Sequence, residues 1–154
     1  MIVVSNTTAI INFSLVGRLE ILEELFGQII IPEQVFKELK GYTLKIITNC
    51  NWISVNKFVC NDSYKHLINT IGLHAGESAA IVLALDLDAN YLILDETHAR
   101  KVFKQMQAKT KMISTVQILK IAKEKKIING YLNILRDMYQ AGYQPSSLDF
   151  REFL

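Results

Sequence analysis

The sequence predicts an α/β domain built on a mainly parallel β-sheet. Three short apolar runs, residues 2–4, 29–31 and 91–94, lack the polar alternation of a strand with one face in water. They are typical of strands that are covered on both faces. Segments with helical character separate these runs. Short buried strands that alternate with helices favour a parallel sheet with right-handed crossovers.

Local signals assign several of the helices. Pro32 is predicted to open a helix that runs to about Lys40, because proline at the first helical position loses only an N–H that has no helical partner. Residues 76–87 are apolar on every side, which predicts a buried helix. Apolar residues spaced by three and four predict an amphipathic helix over residues 131–138, with Asn129 as its N-cap.

The segment 41–60 gives the weakest signals in the chain. Residues 52–55 are predicted to form an edge strand. The rest of the segment is compatible with a loop, a short strand or a segment that binds a partner.

Length and composition exclude several classes of protein. A chain of 154 residues, half of them apolar and 21% charged, is expected to fold as one domain rather than to be disordered. The longest apolar run, residues 79–85, is far shorter than the ~20 residues of a membrane-spanning helix. The N-terminus lacks the pattern of an export signal, so we expect a cytoplasmic location and reduced, structural thiols at Cys50 and Cys60.

Charge is unevenly distributed along the chain. Residues 100–126 contain nine basic residues and one acidic residue, whereas the rest of the chain contains eight basic and fourteen acidic residues. Such asymmetry indicates a polyanionic partner. A lysine-rich face exposed to water explains the pattern equally well.

The sequence lacks several well-known site motifs. It has no glycine-rich dinucleotide or phosphate-binding loop, no H-E-x-x-H zinc motif and no G-x-S-x-G nucleophile motif. The histidines at positions 66, 74 and 98 are scattered, and none has a partner at the spacing of metal ligands. Their simplest interpretation is as surface or helix-end residues.

Polar residues that follow the predicted strands suggest a site. Asn6 comes just after the first strand, Asp95 and Glu96 come directly after residues 91–94, and Glu77 opens the preceding helix. In a parallel sheet these positions share one edge, where ligands bind. Neighbouring carboxylates repel one another unless a cation lies between them, and oxygen ligands suit Mg²⁺ or Mn²⁺. Alternatively, Glu77 is a helix-start acid and Asp95 an N-cap, with nothing bound.

Four segments resemble the PIN-domain family, in its VapC-like toxin branch. They are VVSNTTAII (3–11), IPEQVFKEL (31–39), LHAGESAAI (73–81) and LILDE (92–96), in the family's order and at suitable spacing. The resemblance implies a single PIN-like domain over residues 1–154, with three α/β/α layers and a five-stranded sheet in the order 3-2-1-4-5. It also implies a toxin ribonuclease that cleaves single-stranded RNA, forms a homodimer and is covered by a small cognate antitoxin.

The same resemblance assigns roles to individual residues. In the family an acidic quartet binds the divalent metal, and the matching positions here are Asn6, Glu38, Glu77 and Asp95. Glu96 would be an alternative metal ligand or would hold one of the ligands in place, and Mg²⁺ or Mn²⁺ would be the ion. Around such a site, Thr7 and Thr8 are candidates to hydrogen-bond the phosphate or a ligand carboxylate, and Arg100, Lys101 and Lys104 are candidates to contact the RNA backbone.

Two of these residues have a simpler interpretation when the residues are considered alone. Glu38 lies well inside its predicted helix, so helix geometry alone makes it an acid exposed to solvent. Arg100 lies four residues after Glu96, so the two side chains are equally compatible with an ion pair on the surface of a helix.

Asn6 departs from the family pattern, in which the first position is usually Asp. An amide oxygen can coordinate a metal ion weakly, but it brings no charge and cannot act as a base. The leading prediction is therefore a Mg²⁺- or Mn²⁺-dependent endoribonuclease. The alternatives are a catalytically impaired PIN-like module that binds RNA or an antitoxin, and an unrelated α/β domain whose acids are only helix caps.

Overall fold

Five parallel strands form one sheet in the order β3-β2-β1-β4-β5 in the computed structural model, which describes residues 1–57 and 60–143. The strands are β1 (Val3–Ser5), β2 (Ile29–Pro32), β3 (Ile53–Asn56), β4 (Tyr91–Ile93) and β5 (Lys111–Ile113). β1 lies in the centre, where Val4 pairs with Ile30 of β2 on one side and with Leu92 of β4 on the other. The predicted α/β class and strand order are confirmed.

Helices connect the strands and cover both faces of the sheet. They are α1 (Thr7–Leu15), α2 (Glu20–Phe26), α3 (Glu33–Glu38), α4 (Gly41–Thr48), α5 (Asp62–His66), α6 (Ala75–Asp86), α7 (Thr97–Gln105), α8 (Thr115–Glu124) and α9 (Leu132–Gln140), with a π-helical turn at Leu67–Ile71. Within the described part of the chain, every helix is too short or too polar to cross a lipid bilayer.

The side chains of the central strands alternate between two apolar cores. Val3 and Ile93 point into a core formed with α1, α2, α8 and α9, whereas Val4 and Leu92 point into a core formed with α6 and α7. This alternation follows from the period of two in a β-strand. Both faces of the strands are therefore buried, as their uninterrupted apolar runs predict.

The helix after β2 differs from its predicted bounds. Pro32 is the last residue of β2 and the N-cap of α3, so the helix begins at Glu33. It ends at Glu38 and not near Lys40, because Leu39 is extended, with ψ of 135°. Proline's fixed φ suits an extended residue as well as a helical one, so the sequence signal was ambiguous.

Other boundaries were only partly predictable. The segment 41–60 contains α4 and β3, and β3 lies at one edge of the sheet, which confirms the edge strand predicted there. The buried helix predicted over residues 76–87 is α6. The N-cap position of α9 is held by Tyr131, so the prediction of Asn129 as its N-cap is wrong.

Candidate functional site

Asn6 links the central strand to the first helix. Its backbone N–H donates to the carbonyl of Ile93 in β4 at 3.1 Å, which fixes Asn6 between the two central strands. The residue is only 1% exposed, and its Oδ1 has no hydrogen-bond partner. Leaving a buried acceptor unpaired costs about 1–3 kcal/mol, so this oxygen is well placed to bind a group that enters from outside.

Glu38 reaches the same region because α3 is short. It is the last residue of α3, which packs against α6, and its carboxylate lies against the backbone of Gly76 in the first turn of α6. A Cβ atom on Gly76 would be 2.5 and 2.7 Å from the two carboxylate oxygens. Thr7 donates a short hydrogen bond from its Oγ1 to Oε2 of Glu38. Glu38 is exposed, as helix geometry alone predicts, but its carboxylate also contacts Thr7 and the backbone of Gly76.

Glu77 lies in the first turn of α6, next to Gly76. Burial is the main cause that raises the pKa of its carboxyl group, and the nearby charges of Glu96 and Glu38 act in the same direction. The charge and backbone hydrogen bond of His74 lower the pKa and only partly offset this effect. Glu77 is thus a half-buried carboxylate in a negatively charged neighbourhood.

These side chains share one cavity of about 250 Å³ at the carboxyl edge of the sheet. Its lining residues are Asn6, Thr7, Thr8, Glu38, His74 and Glu77. The structure therefore brings together three of the four quartet positions and both threonines. His74 was not singled out as a site residue, and only its position two residues before the Gly-Glu pair could have pointed to it.

Asp95 is not among the residues that line this cavity. Its Oδ1 accepts hydrogen bonds from the backbone N–H of Thr115 at 2.8 Å and from the hydroxyl of Tyr143 at 3.2 Å. Its Oδ2 accepts from the Thr115 hydroxyl at 2.6 Å. Burial raises the pKa of Asp95, although these hydrogen bonds and the charge of Arg100 lower it.

Glu96, and not Asp95, is the N-cap of α7, because its carboxylate accepts from the backbone N–H of His98 at 3.2 Å. The alternative that made Asp95 an N-cap of this helix is therefore wrong. Arg100 donates from Nη1 to the carbonyl of Leu94 at 2.7 Å. Among the described residues, the ion pair found is that of Arg18 with Glu20, and Arg100 forms none with Glu96.

The basic residues of segment 100–126 are spread over more than one element of the fold. Lys101 and Lys104 are exposed on α7, the helix that begins at the carboxyl edge of the sheet. Lys123, Lys125 and Lys126 lie near the end of α8, at the opposite edge.

The donor set of the cavity fits a hard divalent cation. It offers an unpaired amide oxygen and two carboxylates, and oxygen ligands of this kind are preferred by Mg²⁺ and Mn²⁺. Among residues 1–57 and 60–143, however, no group of three or more His, Cys, Asp or Glu side chains is arranged to hold a metal ion. The carboxylates would have to move toward a cation to bind it together.

Replacing Glu77 with Gln is expected to raise the melting temperature of the metal-free protein at neutral pH. A folded-state pKa above the unfolded value means that the charged carboxylate lowers stability at pH values above the folded pKa. This penalty decreases as the pH falls through the raised pKa and is absent below the ordinary value of 4.5. Thermal melts of both proteins between about pH 4 and pH 8 measure the difference. A variant that is less stable than the parent at neutral pH would contradict the prediction.

A family model described as a PIN domain matches residues 2–154, which is nearly the whole chain. The PIN domain is a nuclease-type fold, its members generally use divalent metal ions, and it suggests RNA binding. No curated protein and no solved structure matches the chain.

Proposed function

The chain belongs to the PIN-domain family, and on this premise we propose that it is a Mg²⁺- or Mn²⁺-dependent endoribonuclease that cleaves single-stranded RNA. The observation that carries the proposal is the cavity at the carboxyl edge of the sheet. There buried Asn6, whose Oδ1 has no hydrogen-bond partner, lines the same cavity as Glu38 and Glu77.

Asn6, Glu38 and Glu77 would hold the divalent ion. Bound there, such an ion would supply a water of lowered pKa, neutralise charge on the phosphate and stabilise the leaving oxygen. Thr7 orients the Glu38 carboxylate through its hydrogen bond. Thr8, in the next position of α1, lines the cavity and is placed to donate a hydrogen bond to a phosphate oxygen.

The RNA backbone would extend from the cavity along α7. Lys101 and Lys104 are exposed there and would attract phosphates without regard to sequence. Arg100 holds the carbonyl of Leu94, so its role would be to fix the loop after β4 more than to grip RNA. We further propose that the protein is a cytoplasmic, VapC-like toxin that forms a homodimer and is inhibited by a cognate antitoxin covering the cavity.

An RNA cleavage assay tests the enzymatic proposal. The protein is expected to cut single-stranded RNA with Mg²⁺ or Mn²⁺ and to lose this activity with EDTA. Glu77→Gln is expected to lower the rate by about 100-fold, because removing a metal ligand removes charge stabilisation in the transition state. Glu124→Gln, at the end of α8, removes the same charge at the opposite edge of the sheet and should leave the rate unchanged. Cleavage that persists at full rate in Glu77→Gln would exclude this site.

Asn6 also supports a second candidate, a PIN-like module that binds RNA or an antitoxin without cutting. The site has lost the negative charge and the proton acceptor that Asp would provide. If the protein is such a binding module, it should bind RNA in a salt-sensitive way and should not cleave it with any divalent metal ion. The same assay, combined with a binding measurement, separates the two candidates.

A further inference from the structure

We propose that a groove beside β5 is a second binding site for single-stranded RNA, separate from the cavity at the carboxyl edge of the sheet. The inference rests on the proposed function in one respect, the choice of RNA as the ligand. It gives a role to lysines of the basic segment 100–126 that the proposed cleavage site does not use.

The groove consists of two adjoining cavities of about 310 and 320 Å³, which share Tyr91 and Lys111. We call the two together the β5 groove. One cavity lies between β5 and α8, and the other lies between the turn before β4 and the segment before β5. None of the residues that line the β5 groove lines the cavity of Glu38 and Glu77.

The two sites also lie at different ends of β4. Tyr91, which lines the β5 groove, is the first residue of this strand. Asn6, which lines the other cavity, is held by the carbonyl of Ile93, the last residue of the same strand. Substitutions in the β5 groove can therefore change RNA binding without touching the candidate cation ligands.

Two elements bring lysines to the first cavity of the groove. Lys111 of β5 pairs with Tyr91 of β4, so both side chains lie on the same face of the sheet. Tyr91 packs against the core that contains α8, which identifies this face as the one that α8 covers. Lys120, on α8, lines the same cavity from the helix.

Hydrogen bonds fix the backbone that carries the lysines of the second cavity. Lys109 and Lys111 flank buried Thr110, whose Oγ1 donates to the carbonyl of Ala89 at 2.6 Å. The backbone N–H of Lys111 donates to the carbonyl of Asn90 at 3.0 Å. Both lysine side chains are exposed and line this cavity, so they extend into solvent from a well-anchored strand start.

The charge of the groove suits a polyanion. Three lysines line it, and Asp88 is the one acid among its lining residues. Within residues 1–57 and 60–143, no carboxylate forms an ion pair with Lys109 or Lys111. Lysines of this kind attract the phosphates of a nucleic acid whatever its sequence.

A basic helix joins the two sites along the chain. α7 begins at the carboxyl edge of the sheet, carries exposed Lys101 and Lys104, and leads into the segment with Lys109. An RNA strand bound at the cavity and continuing along α7 would thus be directed toward the β5 groove.

An aromatic ring in the groove favours RNA over an acidic protein. Half-buried Tyr91 lines both cavities, and its ring packs at a tilt against Phe26, with 6.1 Å between the ring centroids. Proteins that bind single strands combine cations for the phosphates with aromatic rings on which bases stack. The half-buried side chains of Met112 and Ile121 line the same groove and suit the apolar face of a base. Charge alone would also suit an acidic polypeptide, but charge together with a ring suits a single strand better.

Fluorescence anisotropy with a labelled single-stranded RNA of about 12 nucleotides, in EDTA so that no cleavage occurs, tests the assignment. The double variant Lys109→Gln/Lys111→Gln is expected to weaken RNA binding about tenfold or more. The slope of log K against log salt should also become shallower by about 1.4, since each lost phosphate contact on a single strand contributes about 0.7. Tyr91→Leu, which keeps an apolar side chain against Phe26, should weaken binding about fivefold or more.

Lys45→Gln/Arg136→Gln is the matched control. It removes the same charge from exposed positions on α4 and α9 that line neither site, so it should change RNA affinity by less than about twofold. In a cleavage assay with Mn²⁺, the Lys109→Gln/Lys111→Gln variant should raise KM about tenfold and leave kcat unchanged, because it touches no residue of the cavity.

The outcomes separate this inference from the proposed function. If the variant without Lys109 and Lys111 binds RNA like the parent, or no more weakly than the control, the β5 groove is not an RNA site, and cleavage at the cavity is unaffected. If polyglutamate of similar length displaces the RNA as well as unlabelled RNA does, the groove binds polyanions in general and its assignment to RNA is overturned. If the parent binds no RNA at any salt concentration, the inference and the proposed function both fail.

Discussion

Asn6→Asp is expected to raise the affinity for Mn²⁺ about tenfold or more, because affinity for such ions increases with the number of charged ligands. The backbone of residue 6 is already fixed between the two central strands and the residue lines the cavity, and Asp has nearly the shape of Asn, so the substitution adds charge without changing shape. Cleavage should increase in the same direction, since an Asp at this position can also accept a proton. Calorimetry with Mn²⁺ and single-turnover RNA cleavage, run on both proteins, measure the two effects.

The same substitution should make the metal-free protein less stable. A carboxylate that is almost completely buried near Glu38 and Glu77, without a cation, costs several kcal/mol. We expect a fall of about 5 °C or more in melting temperature, and saturating Mn²⁺ should restore much of it by binding only the folded state. If Asn6→Asp changes neither Mn²⁺ affinity nor the metal-free stability, Asn6 does not face a cation site.

Gly76→Ala is expected to lower both Mn²⁺ affinity and cleavage by about 10- to 100-fold while leaving the fold intact. The new Cβ would lie 2.5 Å from Oε1 of Glu38, so the carboxylate must move away from α6. Because these atoms are the far end of a flexible side chain, the move costs little stability. It separates Glu38 from Glu77, however, and weakens its contact with Thr7.

Gly130→Ala is the matched control for this prediction. Gly130 has open space around the position of an added Cβ and does not have the positive φ that favours glycine, so alanine fits there. Both variants should melt within about 2 °C of the parent, and only Gly76→Ala should lose Mn²⁺ binding. Full Mn²⁺ affinity in Gly76→Ala would show that the position of the Glu38 carboxylate is unimportant for the site.

Much of the sheet could be predicted from the sequence because its strands are apolar on both faces. The runs around Val4, Ile30 and Leu92 have no polar alternation, and each proved to be a central strand. β5 was harder to find. It has only three residues and begins with exposed Lys111, so its composition does not stand out from the charged segment that precedes it.

The positions of Asn6 and Glu77 at one edge follow from topology alone, because the ends of parallel strands and the starts of the following helices coincide. The place of Glu38 in the site could be predicted only from the family resemblance. The carboxylate of Glu38 reaches α6 because α3 ends early and because Gly76 has no side chain. The spacing of apolar residues in a helix predicts neither of these features. The hydrogen bonds of Asp95 could not be predicted from the sequence either, since its partners Thr115 and Tyr143 lie far along the chain.

The two outer strands of the sheet, β3 and β5, are short. β5 offers three residues and β3 four, and neither border presents a continuous apolar stretch, since Lys111 begins one and Ser54 lies within the other. An open strand border is a template on which another molecule can add a strand and begin to aggregate. Brevity and a lysine at such a border oppose this addition. The cavity can therefore stay open at the carboxyl ends of the strands, while the outer strands β3 and β5 oppose self-association into fibres.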